Sequence, residues 1–290
     1  MVTGSRCLKL ALLLTVAAMV CLAAEPAVTE ALHLYQRTDY EGALKVLRPI
    51  PDKDAMAWRL LGRRLYMTGE FKKAAEAFEK SVVLRPNDSR TWLWLGRAYG
   101  RRAETSSFVT APGYANKART YFEKAVQLDP KNIEAMNDLF EYYMQAPGFL
   151  GGGLDKAAAL AQRINEVDPA EYHYAQARLA EKRKEFSTAE QQFRRAIELA
   201  PRQAGRVVDL ANFFANQGRY QESDAAFQLA QKIAPGAPKV IFERANAYIR
   251  ANRNLDQARQ LLKRYLDASL TPDDPPRKAA ERLLKASTGG

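Results

Sequence analysis

Cysteine is nearly absent from this chain. Only Cys7 and Cys21 occur in 290 residues, both within the first 24 positions. The remainder has none, which excludes disulfides, thiolate metal centres and cysteine nucleophiles from the body of the protein. Histidine is as scarce: His33 and His173 stand alone, with no HExxH pair and no Cys/His cluster. A zinc site therefore lacks a ligand set, and His173 reads as a packing residue with one ring nitrogen satisfied. No GxSxG elbow is present, and the 33 carboxylates single out no acid–base pair. No block of five or six like charges occurs, so the basic residues read as solvated helix faces interleaved with acids. These gaps leave no catalytic constellation and imply no cofactor.

What is present begins with a leader. Arg6 and Lys9 precede an apolar stretch, Leu10 to Ala24, that ends in small residues before Glu25 and Pro26. A basic head, an apolar centre and a small-residue exit describe a secretory signal peptide over 1–24. Fifteen apolar residues fall short of the ~20 that span a bilayer. Retention by an uncleaved leader is one alternative, and lipid anchoring through Cys21 is another, although Val20 makes a poor lipobox residue. The expectation is an exported protein, periplasmic or secreted. The net charge of +11 becomes +9 when Arg6 and Lys9 leave, which favours an acidic partner. Export argues against nucleic acid. With 47% hydrophobic and 27% charged residues, the composition is that of a soluble globular protein.

Four segments share an ending: EKSVVLRP, EKAVQLDP, RRAIELAP and QLAQKIAP, with NEVDP between the second and third. Their prolines, Pro86, Pro130, Pro169, Pro201 and Pro235, are spaced by 44, 39, 32 and 34 residues. A period near 34 with two enlarged intervals indicates a repeat carrying insertions. Within 55–88, Trp58, Leu61, Gly62 and Leu65 form one stripe, and Phe71, Ala74, Phe78 and Ser81 form a second after Gly69-Glu70. Spacings of three and four predict two helices, with small residues allowing close approach and aromatics filling the space between.

This pattern resembles the tetratricopeptide repeat. Residues 89–132 carry it in Trp92, Leu95, Gly96, Tyr99, Ala118, Phe122, Ala125 and Pro130, and 204–237 in Leu210, Ala211, Phe214, Gly218, Tyr220, Phe227, Ala230 and Pro235. The resemblance implies an all-α fold, a right-handed α-solenoid of about six tandem helix-turn-helix repeats. The expected organisation is a partial N-terminal repeat at 25–54 and an array at 55–271. Its units are 55–88, 89–132, 133–169, 170–203, 204–237 and 238–271, and a capping helix follows at 277–287. Such a helix shields the last repeat's apolar face.

In this family the groove lined by the first helix of each pair usually holds an extended peptide or a partner's helix. The register implies that positions 2, 5, 9, 12 and 13 of that helix face the groove. They are Met56, Arg59, Arg63, Tyr66 and Met67 in one repeat, and Arg90, Leu93, Arg97 and Arg101 in the next. Asn137 follows, then Tyr174, Arg178, Asn212, Asn216, Phe242 and Asn246. Five arginines near one end could fork onto carboxylates, and the asparagines could bond a peptide backbone. Some family members clamp a C-terminal carboxylate with a Lys-Asn-Asn-Lys-Arg set. Arg59, Arg63 and Trp94 stand where the first three would be, which argues against that ligand.

The two enlarged spacings are read as longer turns within a pair, at 101–114 and 146–153. The first holds Pro112 and Gly113, and the second Pro147, Gly148, Gly151, Gly152 and Gly153. The paired insertions look like those of certain bacterial secreted or periplasmic tetratricopeptide proteins. The glycines lack the preceding strand and the Gly-Lys-Ser/Thr ending of a phosphate loop, so they read as a tight turn. The expected function is a non-catalytic scaffold for a protein or peptide, with assembly of an envelope complex as the alternative and an enzyme of unknown type last.

Overall fold

A computed structural model describes residues 26–50 and 53–287. The expected leader lies outside the described residues. Fifteen α-helices and one short 3₁₀ turn make up the described chain, with no strand among the described residues. The chain divides into two compact units, one ending at Tyr114 and one starting at Ala115.

The first unit contains α1 (residues 26–36), α2 (Tyr40–Leu47), α3 (Ala55–Met67), α4 (Phe71–Leu84) and α5 (Ser89–Thr105). Asp39, Asp54 and Asp88 cap α2, α3 and α5 by accepting from backbone N–H groups of the first turn. Gly69, at φ +84°, turns the chain between α3 and α4, and Pro86 follows α4 where no further helix bond can form. Both helices bury their apolar stripes, and Phe78 is fully enclosed. Gly62 explains the closeness of the pair: a Cβ there would lie 2.6 Å from the Phe78 ring.

α6 (Ala111–Leu128) crosses the division. The second unit continues with α7 (Ile133–Gln145), a 3₁₀ turn (Gly148–Leu150), α8 (Leu154–Asn165), α9 (Pro169–Lys182) and α10 (Phe186–Leu199). It closes with α11 (Ala204–Asn216), α12 (Tyr220–Ile233), α13 (Pro238–Arg250), α14 (Leu255–Leu266) and α15 (Arg277–Ala286). One buried cluster runs from Ala177 and Phe193 through Phe213 and Phe227, and a second joins Tyr248, Leu262 and Tyr265 to Ala280 of α15.

Two expectations need correction. The 101–114 insertion lengthens helices more than it lengthens a turn, since α5 has 17 residues and α6 has 18 against 13 and 14 for α3 and α4. Pro112 and Gly113 accordingly lie in the first turn of α6, where a proline removes only an N–H that has no helical partner. Pro169 likewise begins α9 behind its Asp168 cap.

The 146–153 segment is a built turn. Tyr142 donates to the Leu150 carbonyl at 2.9 Å, Gly153 N–H donates to the Tyr143 carbonyl at 2.9 Å, and Lys156 donates to the Gly151 carbonyl at 2.9 Å. A Cβ at Gly152 would fall 1.8 Å from the Ala146 oxygen, so the backbone itself requires glycine.

Gly62→Ala tests the close approach. Alanine gains up to ~1 kcal/mol in an exposed helix, but overpacking against an enclosed ring costs about 1–3 kcal/mol. Urea denaturation is expected to show net destabilisation; a stabilised variant would mean the pair has slack.

Candidate functional site

In the first unit, four of the five expected groove arginines are engaged by their own protein. Arg59 pairs with Asp88 at 2.5 Å, bracing the cap of α5. Burial pushes the Asp88 carboxyl up, but the hydrogen bond from Thr91 and the Arg59 charge outweigh it and hold the group below its ordinary value. The Arg63 guanidinium lies over Tyr35 at 4.5 Å and over Trp94 at 5.0 Å, and Arg97 lies over Trp94 at 4.8 Å. Arg101 covers Phe71 and pairs with Glu104. Tyr66 packs edge-on against Phe71 and Trp94. Arg90 is exposed. Leu93 is fully buried and faces no groove. Cation–π stacking, with Trp94 at its centre, therefore occupies much of this face.

The second unit has an open concavity of about 590 Å³ between the first helices of successive pairs, α9, α11 and α13, with Met144 of α7 at its margin. Tyr174, Arg178, Asn212 and Asn246 all line it. Arg178 reaches the Tyr174 hydroxyl at 3.0 Å and Glu141 at 3.0 Å. Asn212 donates to Glu243 at 3.4 Å and accepts from Arg250 at 3.0 Å. Burial, and then the Asp209 charge, push the Tyr174 phenol up to about 12. Asn137 is half-buried on α7 and is not part of this lining. Phe242 is buried in the core: the residue one position later, Glu243, faces the groove instead.

Sequence reasoning missed Asp209 and Glu243 for that one-position offset. It also missed Lys182 and Arg250, although they sit at the same thirteenth helix position as Asn216. Asp209 is the most perturbed group of the groove. Burial raises its carboxyl from 3.8 to about 7, against the pull of Arg206, Lys239 and Arg178 and with Glu171 adding to the rise. His173 Nδ1 lies 2.6 Å from Gln192, a satisfied packing contact. No cluster of three His, Cys, Asp or Glu side chains fit to hold a metal occurs among the described residues. No helix among them is long and apolar enough to cross a membrane.

Stacked pairs with this register match known sequences. Residues 55–88, 113–132 and 174–238 each match a family model described as tetratricopeptide repeat. The chain carries tetratricopeptide repeats. A cell division cycle protein 27 homolog of Caenorhabditis elegans is 32% identical over 78 residues, covering 27% of this chain but only 9% of that protein. A tetratricopeptide repeat protein of Parabacteroides merdae superposes with a TM-score of 0.59 at 14% identity, over 92% of this chain and 100% of its own. A thermophilic tetratricopeptide protein of Thermus thermophilus does so with a TM-score of 0.54 at 21% identity, over 66% of this chain and 98% of its own. These likenesses show the fold, a tetratricopeptide α-solenoid.

Asp209 supplies a pH prediction. Its folded value is raised, so between about pH 4 and about pH 7 the native state holds a proton that the unfolded chain releases. This group's contribution to stability therefore falls as pH climbs through that window. Asp209→Asn is expected to melt above the parent at about pH 8, with the gap closing towards about pH 4. Thermal melts showing a pH-independent gap would refute the raised value.

Proposed function

We propose that this protein is a non-catalytic interaction scaffold holding a peptide, or an extended segment of a partner protein, in the groove between α9, α11 and α13. The observation carrying this reading is the convergence of Tyr174, Arg178, Asn212 and Asn246 on one open concavity of about 590 Å³. That size suits a ligand site, and its amides offer both donors and acceptors to a peptide backbone. Tetratricopeptide repeats generally mediate protein–protein interaction, which supports the same conclusion. The leader-like segment at 1–24 supports export, and the net charge of +11 favours an acidic partner.

Asn216 and Asn246 have no side-chain partner among the described residues, so removing their amides leaves the fold's own hydrogen bonds intact. Asn216→Ala combined with Asn246→Ala is expected to lose about 2 kcal/mol of binding, ~1 per hydrogen bond, or roughly 30-fold in affinity. Capture of partners from an envelope extract of the source cells, quantified by mass spectrometry against the parent, measures it. Equal recovery would sink the groove reading.

A second reading, assembly through the inserted segments, is favoured by Phe149. This ring is 81% exposed at the tip of a turn whose backbone is fixed on several sides. Light scattering should then show mass rising with concentration for the parent and a constant monomer for Phe149→Ser. A parent that stays monomeric throughout removes this reading.

A further inference from the structure

The groove lining changes character along the helix axes. Tyr174, Asp209 and Glu243 form its first level, Arg178, Asn212 and Asn246 the second, and Lys182, Asn216 and Arg250 the third, with Lys184 just beyond. Seven residues separate Asp209 from Asn216, and Glu243 from Arg250, which at ~1.5 Å per residue places the outer levels about 10.5 Å apart. Carboxylates mark one end. Arg206, near them, forms a buried pair with Glu171 and also reaches Asp209 at 4.0 Å, so that one guanidinium is shared between two carboxylates. Lys239 stands beside Asp209 outside the lining. Cations mark the other end. Lys182 and Lys184 have no ion-pair partner among the described residues, and Glu181 is engaged by Arg178. The lining also includes Phe186, exposed at the start of α10 beside Lys184, with Phe193 and Phe213 buried beneath the surface.

Resting on the groove reading above, we infer that the occupant is a short dipolar peptide with both termini free. Its N-terminal ammonium lies at Asp209 and Glu243, and its C-terminal carboxylate at Lys182, Lys184 and Arg250. An extended chain covers at most ~3.3–3.6 Å per residue, so a separation of about 10.5 Å fits three to four residues. An apolar side chain of that peptide rests on the exposed Phe186 ring. An ammonium beside Asp209 favours its charged form and so restores the carboxylate that burial disfavours.

Lys184 supports the assignment from the backbone. It has φ +63°, a left-handed conformation that Gly69 and Gly218 adopt in other turns between paired helices. A lysine there is strained, as is Thr38 in its turn, and the Lys184 side chain lines the groove. Thr38 and Asn252 also hold positive φ in such turns, so the conformation is general and the lysine is what distinguishes this one.

Native mass spectrometry of the full chain with a tripeptide library having an apolar central residue tests the inference. The library is offered free, N-acetylated, C-amidated and doubly blocked. The free form is expected to bind, and each single block to weaken it at least ~10-fold, the scale of one lost charge-assisted contact. Lys182→Glu with Lys184→Glu should lose sensitivity to amidation, whereas Asp209→Asn should lose sensitivity to acetylation. Lys184→Gly should melt higher than the parent yet bind the free library more weakly. Free and doubly blocked peptides bound equally, and both weakened by Asn216→Ala with Asn246→Ala, would overturn the polarity and leave the groove reading intact. No retention of any form overturns the dipolar peptide, and the groove reading is then decided by the capture experiment alone.

Discussion

Paired helices in this protein approach as closely as a missing side chain allows. Gly62 lies against the enclosed Phe78 ring, and alanines that are fully buried, Ala177, Ala211 and Ala245, hold the corresponding place in later pairs. Each contact fixes the rotation of the first helix about its own axis. Once that rotation is set, the residues one position later and four or five beyond must turn away from the partner helix. The groove surface is thus a by-product of how the pairs close. Arg178, Asn212 and Asn246 each follow their buried alanine by one residue, and Lys182, Asn216 and Arg250 by five.

The same register produces two different inner faces. In the first unit, the Arg63 and Arg97 guanidinium groups lie over Trp94, and Tyr66 meets it edge-on. Guanidinium faces are weakly hydrated and stack well on indole, so a cluster rich in both closes on itself. In the second unit the equivalents of Arg63 and Arg97 are Arg178, Asn212 and Asn246. The place of Trp94 is taken by Ala175, Asp209 and Glu243, so no indole is there for guanidinium groups to cover. That difference in side-chain chemistry, on a common backbone plan, leaves about 590 Å³ open between α9, α11 and α13.

The helical repeat was legible because its signal is redundant: period, small-residue positions and terminal prolines all agree. Tyr174, Arg178, Asn212 and Asn246 were legible as groove residues for the same reason. What escaped depends on partners distant in sequence. Nothing local to Arg59 shows that Asp88 will claim it, and nothing local to Arg63 shows that Tyr35 and Trp94 will sandwich it. The Pro112-Gly113 pair was misplaced because turn-forming residues are also tolerated in a helix's first turn. Phe242 was misplaced because a one-position offset of about 100° separates core from groove, and its aromatic ring belonged to the core.

The glycine-rich turn at 146–153 shows how a motif's meaning depends on its geometry. Phosphate loops use glycines to expose backbone N–H groups to an anion. Here those groups are consumed internally: Gly151 N–H donates to Gly148, Gly152 N–H to Pro147, and Gly153 N–H to Tyr143. Gly152 is required because a Cβ would strike the Ala146 carbonyl oxygen, and Gly151 and Gly153 because their φ values are +83° and +151°. The three glycine N–H groups are thus used within the turn, and what it presents to solvent is the Phe149 ring. The glycines shape a rigid support, and any recognition there falls to the aromatic side chain it displays.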